Sequence, residues 1–270
     1  MLTDMDFLKI VKRRSFLNET IYIALNVALA IALMFIIRIT GSLLPAFALV
    51  LLSKWRIFAV RLRFWFANIQ TNLVSVIIDV SFVIFLYITN IANVGDSQIF
   101  VVQSILSLMY IGWLLFLKPK SKRAYVVAQA GTALFVGITA VYAMSYGWIA
   151  SPVILLTWLI GYATARHVLG SYDDERHVLL LSLAWSLAIA EISWVAYHWT
   201  IAYRLPFITS VLLPQVSIVI LCLGFVTYKA YNSYYHYQKI LINDIILPLI
   251  FTVSIISVLV LAFNAVSTVI

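Results

Sequence analysis

Charge is what this sequence has least of. Of 270 residues, 18 are Lys or Arg and 10 are Asp or Glu, so 10% are charged. Soluble domains carry about a quarter. A chain this poor in charge cannot keep a folded surface wet, which excludes a water-soluble globular domain. Cysteine is also nearly absent. The single Cys222 lies within VSIVILCLGFV. That excludes a disulfide framework, a CxxC redox pair and a cysteine metal cluster, and leaves a small buried hydrophobe. Glycine and proline are scarce, at 9 and 6 residues. The Gly/Pro-interrupted spans that mark broken-helix transport sites in related halves are not visible. Pro214 beside Gln215 is the best place in the chain for an opened backbone, because proline frees a carbonyl one turn back. HExxH, GxSxG and the phosphate-binding P-loop are missing, and no lysine sits mid-span where a retinal Schiff base would need it. The four histidines stand at no metal-ligand spacing. No cofactor is implied.

What is abundant is apolar sequence, 64% of the chain. It is bunched in runs of roughly 17 to 25 residues, the length that crosses ~30 Å of hydrocarbon. The ~10-residue alternating segments of a β-barrel are absent. The reading is an all-α polytopic transmembrane helix bundle, a single integral membrane domain over 1–270. Spans are expected near 20–38, 42–60, 72–92, 97–117, 124–144, 147–165, 177–199, 206–228 and 244–266. The opening MLTDMDFLKIVKRRSF lacks the short apolar core and small-residue site of a cleavable signal peptide, so the first span is expected to remain.

Span two is the doubtful one. Its apolar part, SLLPAFALVLLS, is too short to cross unless the bilayer thins or Lys54 snorkels. Were 42–53 re-entrant, eight spans would remain. Charge decides between the two. Nine crossings with a cytoplasmic N-terminus put 16 of the 18 basic residues inside and leave only Arg38 and Arg204 outside; eight crossings give 13 and 5. The positive-inside rule favours nine. The expected location is a prokaryotic inner (plasma) membrane.

The stretch LSKWRIFAVRLRFWFANIQ interleaves cations and aromatics. On a helix over 54–70, Trp55, Phe58, Ala59, Leu62, Trp65, Phe66 and Ile69 form one apolar stripe. Lys54 and Arg61 edge it on one side, Arg56 and Arg63 on the other. That pattern predicts a cytoplasmic interfacial amphipathic helix, a collar contacting anionic lipid headgroups and a protein partner in the membrane, with no nucleic acid. A second aromatic segment, TYKAYNSYYHYQKI, reads as aromatic belt following span eight.

Ionisable residues within hydrocarbon are costly and mark candidate sites. Asp79 and Glu191 are the two. Asn26 and Gln129 fall near the depth of Asp79; Gln103 and Gln215 fall near that of Glu191. Facing one interior, they would make an inner and an outer polar layer suited to protons or small cations. Otherwise they are interhelical hydrogen-bonding glue. The loop ATARHVLGSYDDERH offers Asp173, Asp174 and Glu175 as ligands for a metal against a lipid phosphate. Against that, Ser171 followed three residues later by Asp174 is a helix-capping pattern, and no second acidic motif exists. The leading functional reading is a non-enzymatic membrane-embedded subunit or scaffold. A small permease or proton/cation pathway through Asp79 and Glu191 is the alternative, and a lipid-phosphate enzyme at 173–175 the third.

Overall fold

The computed structural model of the chain describes residues 4–92, 94–145, 147–199, 201–204 and 211–262, with side chains from residue 18 onward apart from those of 56 and 58. It is an all-α polytopic bundle, 83% helical. Helices α1 (Asp4–Thr40), α2 (Leu43–Ser53), α3 (Trp55–Phe58), α4 (Trp65–Ile91) and α5 (Asp96–Gly112) make the first half. Helices α6 (Arg123–Met144), α7 (Ala150–Leu169), α8 (Val178–His198), α9 (Gln215–Tyr237) and α10 (Ile242–Ala262) make the second. Strands β1 (Ala202–Arg204) and β2 (Leu212–Pro214) pair antiparallel in the link from α8 to α9. Among the described residues eight helices are long and apolar enough to cross a membrane.

Helix α2 is not one of them. Its 11 residues span about 16 Å at 1.5 Å each, half the hydrocarbon. The side-chain contacts nevertheless require the chain to return here. Tyr22 donates to the Leu114 carbonyl at 3.1 Å and Arg38 lies over the Phe100 ring, so α1 runs antiparallel to α5. Tyr110 meets Asp79 while Gln103 meets Leu86, so α4 is also antiparallel to α5. Helices α1 and α4 are therefore parallel, and residues 41–64 must bring the chain back between them. They do so in pieces. Helix α2 descends to Lys54, α3 follows with the Ile57 carbonyl at Asn68, and the Val60 carbonyl accepts from Trp65 Nε1. A 3₁₀ turn, Leu62–Phe64, then opens α4. Among the described residues this makes eight helices long enough to cross and one broken return between α1 and α4.

This break corrects the expected collar. No continuous amphipathic helix covers 54–70: the helix lapses at Ala59 and Arg61 sits in extended backbone. The stripe fails because Lys54, which was to edge it, is drawn inward. Span eight is shifted as well. Helix α9 begins at Gln215 and runs to Tyr237, so most of the tyrosine segment forms its second half. Pro214 ends β2 and stands immediately before the helix, where its missing N–H costs nothing, rather than opening a span interior.

Two apolar cores hold the bundle. One joins α1, α2, α4 and α5 around Leu33, Ile37, Val83, Leu86 and Leu114; the other joins α6 to α9 around Ile138, Val153, Ile189 and Ile220. Glycines let helices meet closely where the second core forms. A Cβ on Gly161 would lie 2.9 Å from Ile189 Cδ1 and 3.2 Å from Ser186 Cα, and one on Gly137 would lie 2.8 Å from Ile77 Cγ2. Small residues at helix contacts are how membrane helices gain packing without a hydrophobic drive between them.

Candidate functional site

Lys54 caps the end of α2, and its side chain is only 9% exposed. Its Nζ lies 2.6 Å from Asp79 Oδ2, and it also donates to Ser75 Oγ at 2.5 Å. Asp79, 1% exposed, accepts from the Tyr110 hydroxyl through its other oxygen at 2.8 Å. The Tyr110 ring stacks on Phe82 with centroids 4.1 Å apart, which fixes where that hydroxyl points. Helix α5 ends in a π-helical turn, Trp113–Leu117, closed by the bond from Lys118 N to the Trp113 carbonyl. Such turns recur at functional sites because they re-aim the residues around them. Here Lys118 follows directly, and its ammonium is held near that of Lys54. Burial, then Lys54, push its pKa from the ordinary 10.5 down to about 8.

The cluster continues across the bundle. On α5, Gln103, Ser107 and Tyr110 recur at helical spacing and all are buried. On α4, Ser75, Asp79, Leu86 and Asn90 recur the same way. Gln103 Nε2 donates to the Leu86 carbonyl at 3.2 Å and to Asn90 Oδ1 at 3.4 Å. Gln103 Oε1 and Ser107 Oγ are buried acceptors with no protein partner. Beyond them lies Arg38, over Phe100, with a buried Nη1 also unpartnered. From Ser75 to Asn90 the seam rises about 22 Å at 1.5 Å per residue, most of the ~30 Å hydrocarbon. Unsatisfied polar atoms cost enough when buried that a run of them asks for a functional cause.

Of the residues expected in two polar layers, the structure brings Asp79 and Gln103 together in this seam and disperses the rest. Glu191 is exposed on the outer face of α8, in a stripe with Leu180, Leu187 and Trp194. Asn26 donates to the Tyr22 carbonyl of its own helix. Gln129 caps the end of the π-helical segment by donating to the Leu117 and Lys120 carbonyls at 2.7 and 2.8 Å, and its oxygen accepts from His167 Nε2. Gln215 begins α9, away from the seam, with Nε2 buried and unpartnered. No common interior unites these four, because their helices turn those positions elsewhere.

Lys54 is likewise no lipid-surface residue: its burial and ion pair replace the snorkelling expected of it. Trp55, Arg61 and Arg63 are exposed, and Trp65 is half-buried. The Arg56 side chain lies outside the described residues. In the loop before α8, Glu175 accepts from the His177 N–H and from the Tyr231 hydroxyl, and these bonds, the tyrosine's first, hold its pKa below the ordinary carboxylate value. Asp173 and Asp174 are exposed, and no group of three His, Cys, Asp or Glu able to hold a metal occurs among the described residues. The cap expected of Ser171 and Asp174 falls elsewhere, since α8 starts only at Val178 and Ser171 donates back to the Val168 carbonyl.

Ser75, Ser107, Asn90, Tyr110 and Lys118 were not singled out in the sequence. Serine and tyrosine within apolar runs are too common to signal anything singly. Their spacing on the same faces as Asp79 and Gln103 was the available clue. No protein-family model matches the chain, and no curated protein and no solved structure matches it.

Proposed function

We propose that this membrane protein moves protons along the seam between α4 and α5. One observation supports the reading above others: the buried Lys54–Asp79–Tyr110 cluster, with Ser107 and Gln103 buried at helical spacing beyond it on α5. Ionisable groups inside a helix bundle pair with one another and line ion or proton paths. Two neighbouring ammonium heads repel a metal cation, which leaves the proton as the ion this cluster tolerates. Lys118, at the basic end, exchanges a proton with water near neutral pH. Asp79 takes or gives it at a carboxylate oxygen, and Tyr110 and Ser107 pass it by donating one hydroxyl hydrogen while accepting another. The basic end faces the cytoplasm of a prokaryotic plasma membrane in this reading, in keeping with the positive-inside rule.

The test is proton flux into sealed liposomes carrying a pH dye, driven by an imposed potential. Wild type is compared with Asp79→Asn and with the double variant Lys54→Met/Asp79→Leu. Removing one partner of a buried pair costs about 3–5 kcal/mol, whereas replacing both with apolar groups is near neutral, so the double variant keeps the fold. Flux in the wild type, lost at least about tenfold in both variants, is expected. Glu191→Gln is expected to conduct normally. Folded wild type that conducts no better than empty liposomes, or variants that conduct equally, overturn the proposal.

A second reading, a membrane-embedded subunit whose rim contacts anionic lipid and a partner, is favoured by the exposure of Trp55, Arg61, Leu62, Arg63 and Phe66 around the α3–α4 break.

A further inference from the structure

A cavity of about 500 Å³ lies among α6, α7, α8 and α9, in the half of the molecule the seam does not use. Its walls are almost wholly apolar, with Leu134, Leu181, Trp185, Leu221 and Phe225 prominent. Helix α8 packs along α7, and α9 along α6 and α10, while α8 and α9 touch each other little. Ala184 of α8 and Phe225 of α9 both line the cavity and remain exposed, so it opens sideways between those two helices. On α9 the lining runs from Leu221 to Tyr231. Ten residues rise about 15 Å, the depth of one leaflet.

The cavity's end near the membrane surface is different. Tyr231 lines it, and its ring meets that of Tyr172 at 5.0 Å. The Arg123 guanidinium lies 4.2 Å over Tyr172, one turn before the lining residue Val127. Arg123 pairs with no carboxylate among the described residues. Its one hydrogen bond among the described residues is long, 3.4 Å, to the Ser171 carbonyl; the Tyr235 ring lies 5.7 Å away, and the Arg123 Nε is buried without a hydrogen-bond partner. Glu175, which meets this cluster at Tyr231, already accepts from that hydroxyl and from the His177 backbone and forms no ion pair with Arg123. Lys122, exposed, stands beside it.

We propose that this cavity holds one acyl chain of an anionic phospholipid, with the phosphate against Arg123. An apolar slot of this size, one leaflet deep and open to the bilayer, takes a chain from the lipid around it. A fixed guanidinium with a donor to spare favours a net-anionic headgroup over a zwitterionic one, whose own ammonium offsets its phosphate.

The experiment uses the full-length protein, stripped of lipid in detergent and offered equal amounts of phosphatidylglycerol and phosphatidylcholine with the same chains, then oleate. Native mass spectrometry counts what is retained. Wild type should keep one phosphatidylglycerol with about tenfold preference, the worth of one charge-assisted hydrogen bond. Arg123→Gln should retain both lipids alike. Ala184→Phe, which fills the opening, should retain neither; if its melting temperature shows that it does not fold, Ala165→Leu fills the cavity from α7 instead. Equal retention of the two phospholipids by wild type, or undiminished retention by a folded cavity-filling variant, overturns the proposal. Oleate kept in preference to phosphatidylglycerol overturns the phospholipid in favour of a free fatty acid.

Discussion

Lys54, Asp79 and Lys118 bring two positive charges and one negative charge within reach of each other inside the bundle, and the third charge is the unstable one. Lys54 has a carboxylate at 2.6 Å to offset its desolvation. Lys118 has Asp79 only at a distance and Lys54 nearby, and its pKa falls from 10.5 to about 8. A lysine with a lowered folded pKa weakens the fold while it is protonated. Between about pH 8 and 10.5 the unfolded chain holds that proton and the folded chain does not, so stability rises with pH across this window. Below the window both states carry the charge and the whole cost remains; above it both are neutral. Lys118→Gln is therefore expected to melt higher than wild type at neutral pH, with the gap closing as pH climbs through the window. Thermal unfolding curves of the two proteins across that range decide it, and parallel curves would show that Lys118 is not desolvated as described. Asp79 was legible in the sequence because a carboxylate in an apolar run stands out. Its partner was not: Lys54 lies 25 positions earlier in the chain, at the edge of a stripe that looked like a surface, and only the folded return of α2 brings it inward.

Helices were legible to the extent that their apolar runs had sharp ends. Helices α6 and α8, and α5 taken together with its π-helical turn, begin and end within two residues of expectation, since charged or loop residues bound them on both sides. Helix α9 did not follow, because the tyrosines that extend it are amphipathic and read equally as belt or helix. The α7–α8 pairing was not legible at all. It rests on Gly161 opposite Ser186 and Ile189, with Ser182 and Ser193 buried along the same face. Serine in an apolar helix carries no sign of which neighbour it faces. That pairing gives an expectation of its own. Gly161→Ala places a methyl group 2.9 Å from Ile189 Cδ1, which a rotamer change can relieve, but also 3.2 Å from Ser186 Cα, which it cannot. Overpacking of this kind costs about 1–3 kcal/mol. Adding Ile189→Val should recover only part of the lost melting temperature. Full recovery would mean that the side chain, and not the backbone of α8, sets the distance.

At the scale of the whole molecule the question is how often the chain crosses. Charge counting favoured nine passages, and hydropathy by itself finds eight helices able to cross. The two agree once the return between α1 and α4 is recognised as broken: α2 covers half the depth, and 54–64 completes it with a short helix and a 3₁₀ turn. Such a segment survives in a membrane only where other helices shield its free backbone groups, and here Lys54, Ile57 and Val60 all meet α4. The two counts make opposite statements about one pair of residues. With nine passages Glu19, at the start of the first crossing, emerges on the same side as Lys120; with eight it emerges opposite. Arg204, in β1, lies across the membrane from Lys120 either way and serves as the control. Because Cys222 is the single cysteine and is buried, a Cys222→Ala protein gives a silent background. Glu19→Cys, Lys120→Cys and Arg204→Cys, each placed in it, can then be labelled in sealed vesicles with a membrane-impermeant maleimide. Glu19→Cys and Lys120→Cys are expected to react from one side and Arg204→Cys from the other. Should Glu19→Cys instead react together with Arg204→Cys, α1 and α4 could not be parallel, α2 would be re-entrant, and Lys54 could not reach Asp79 by the route described.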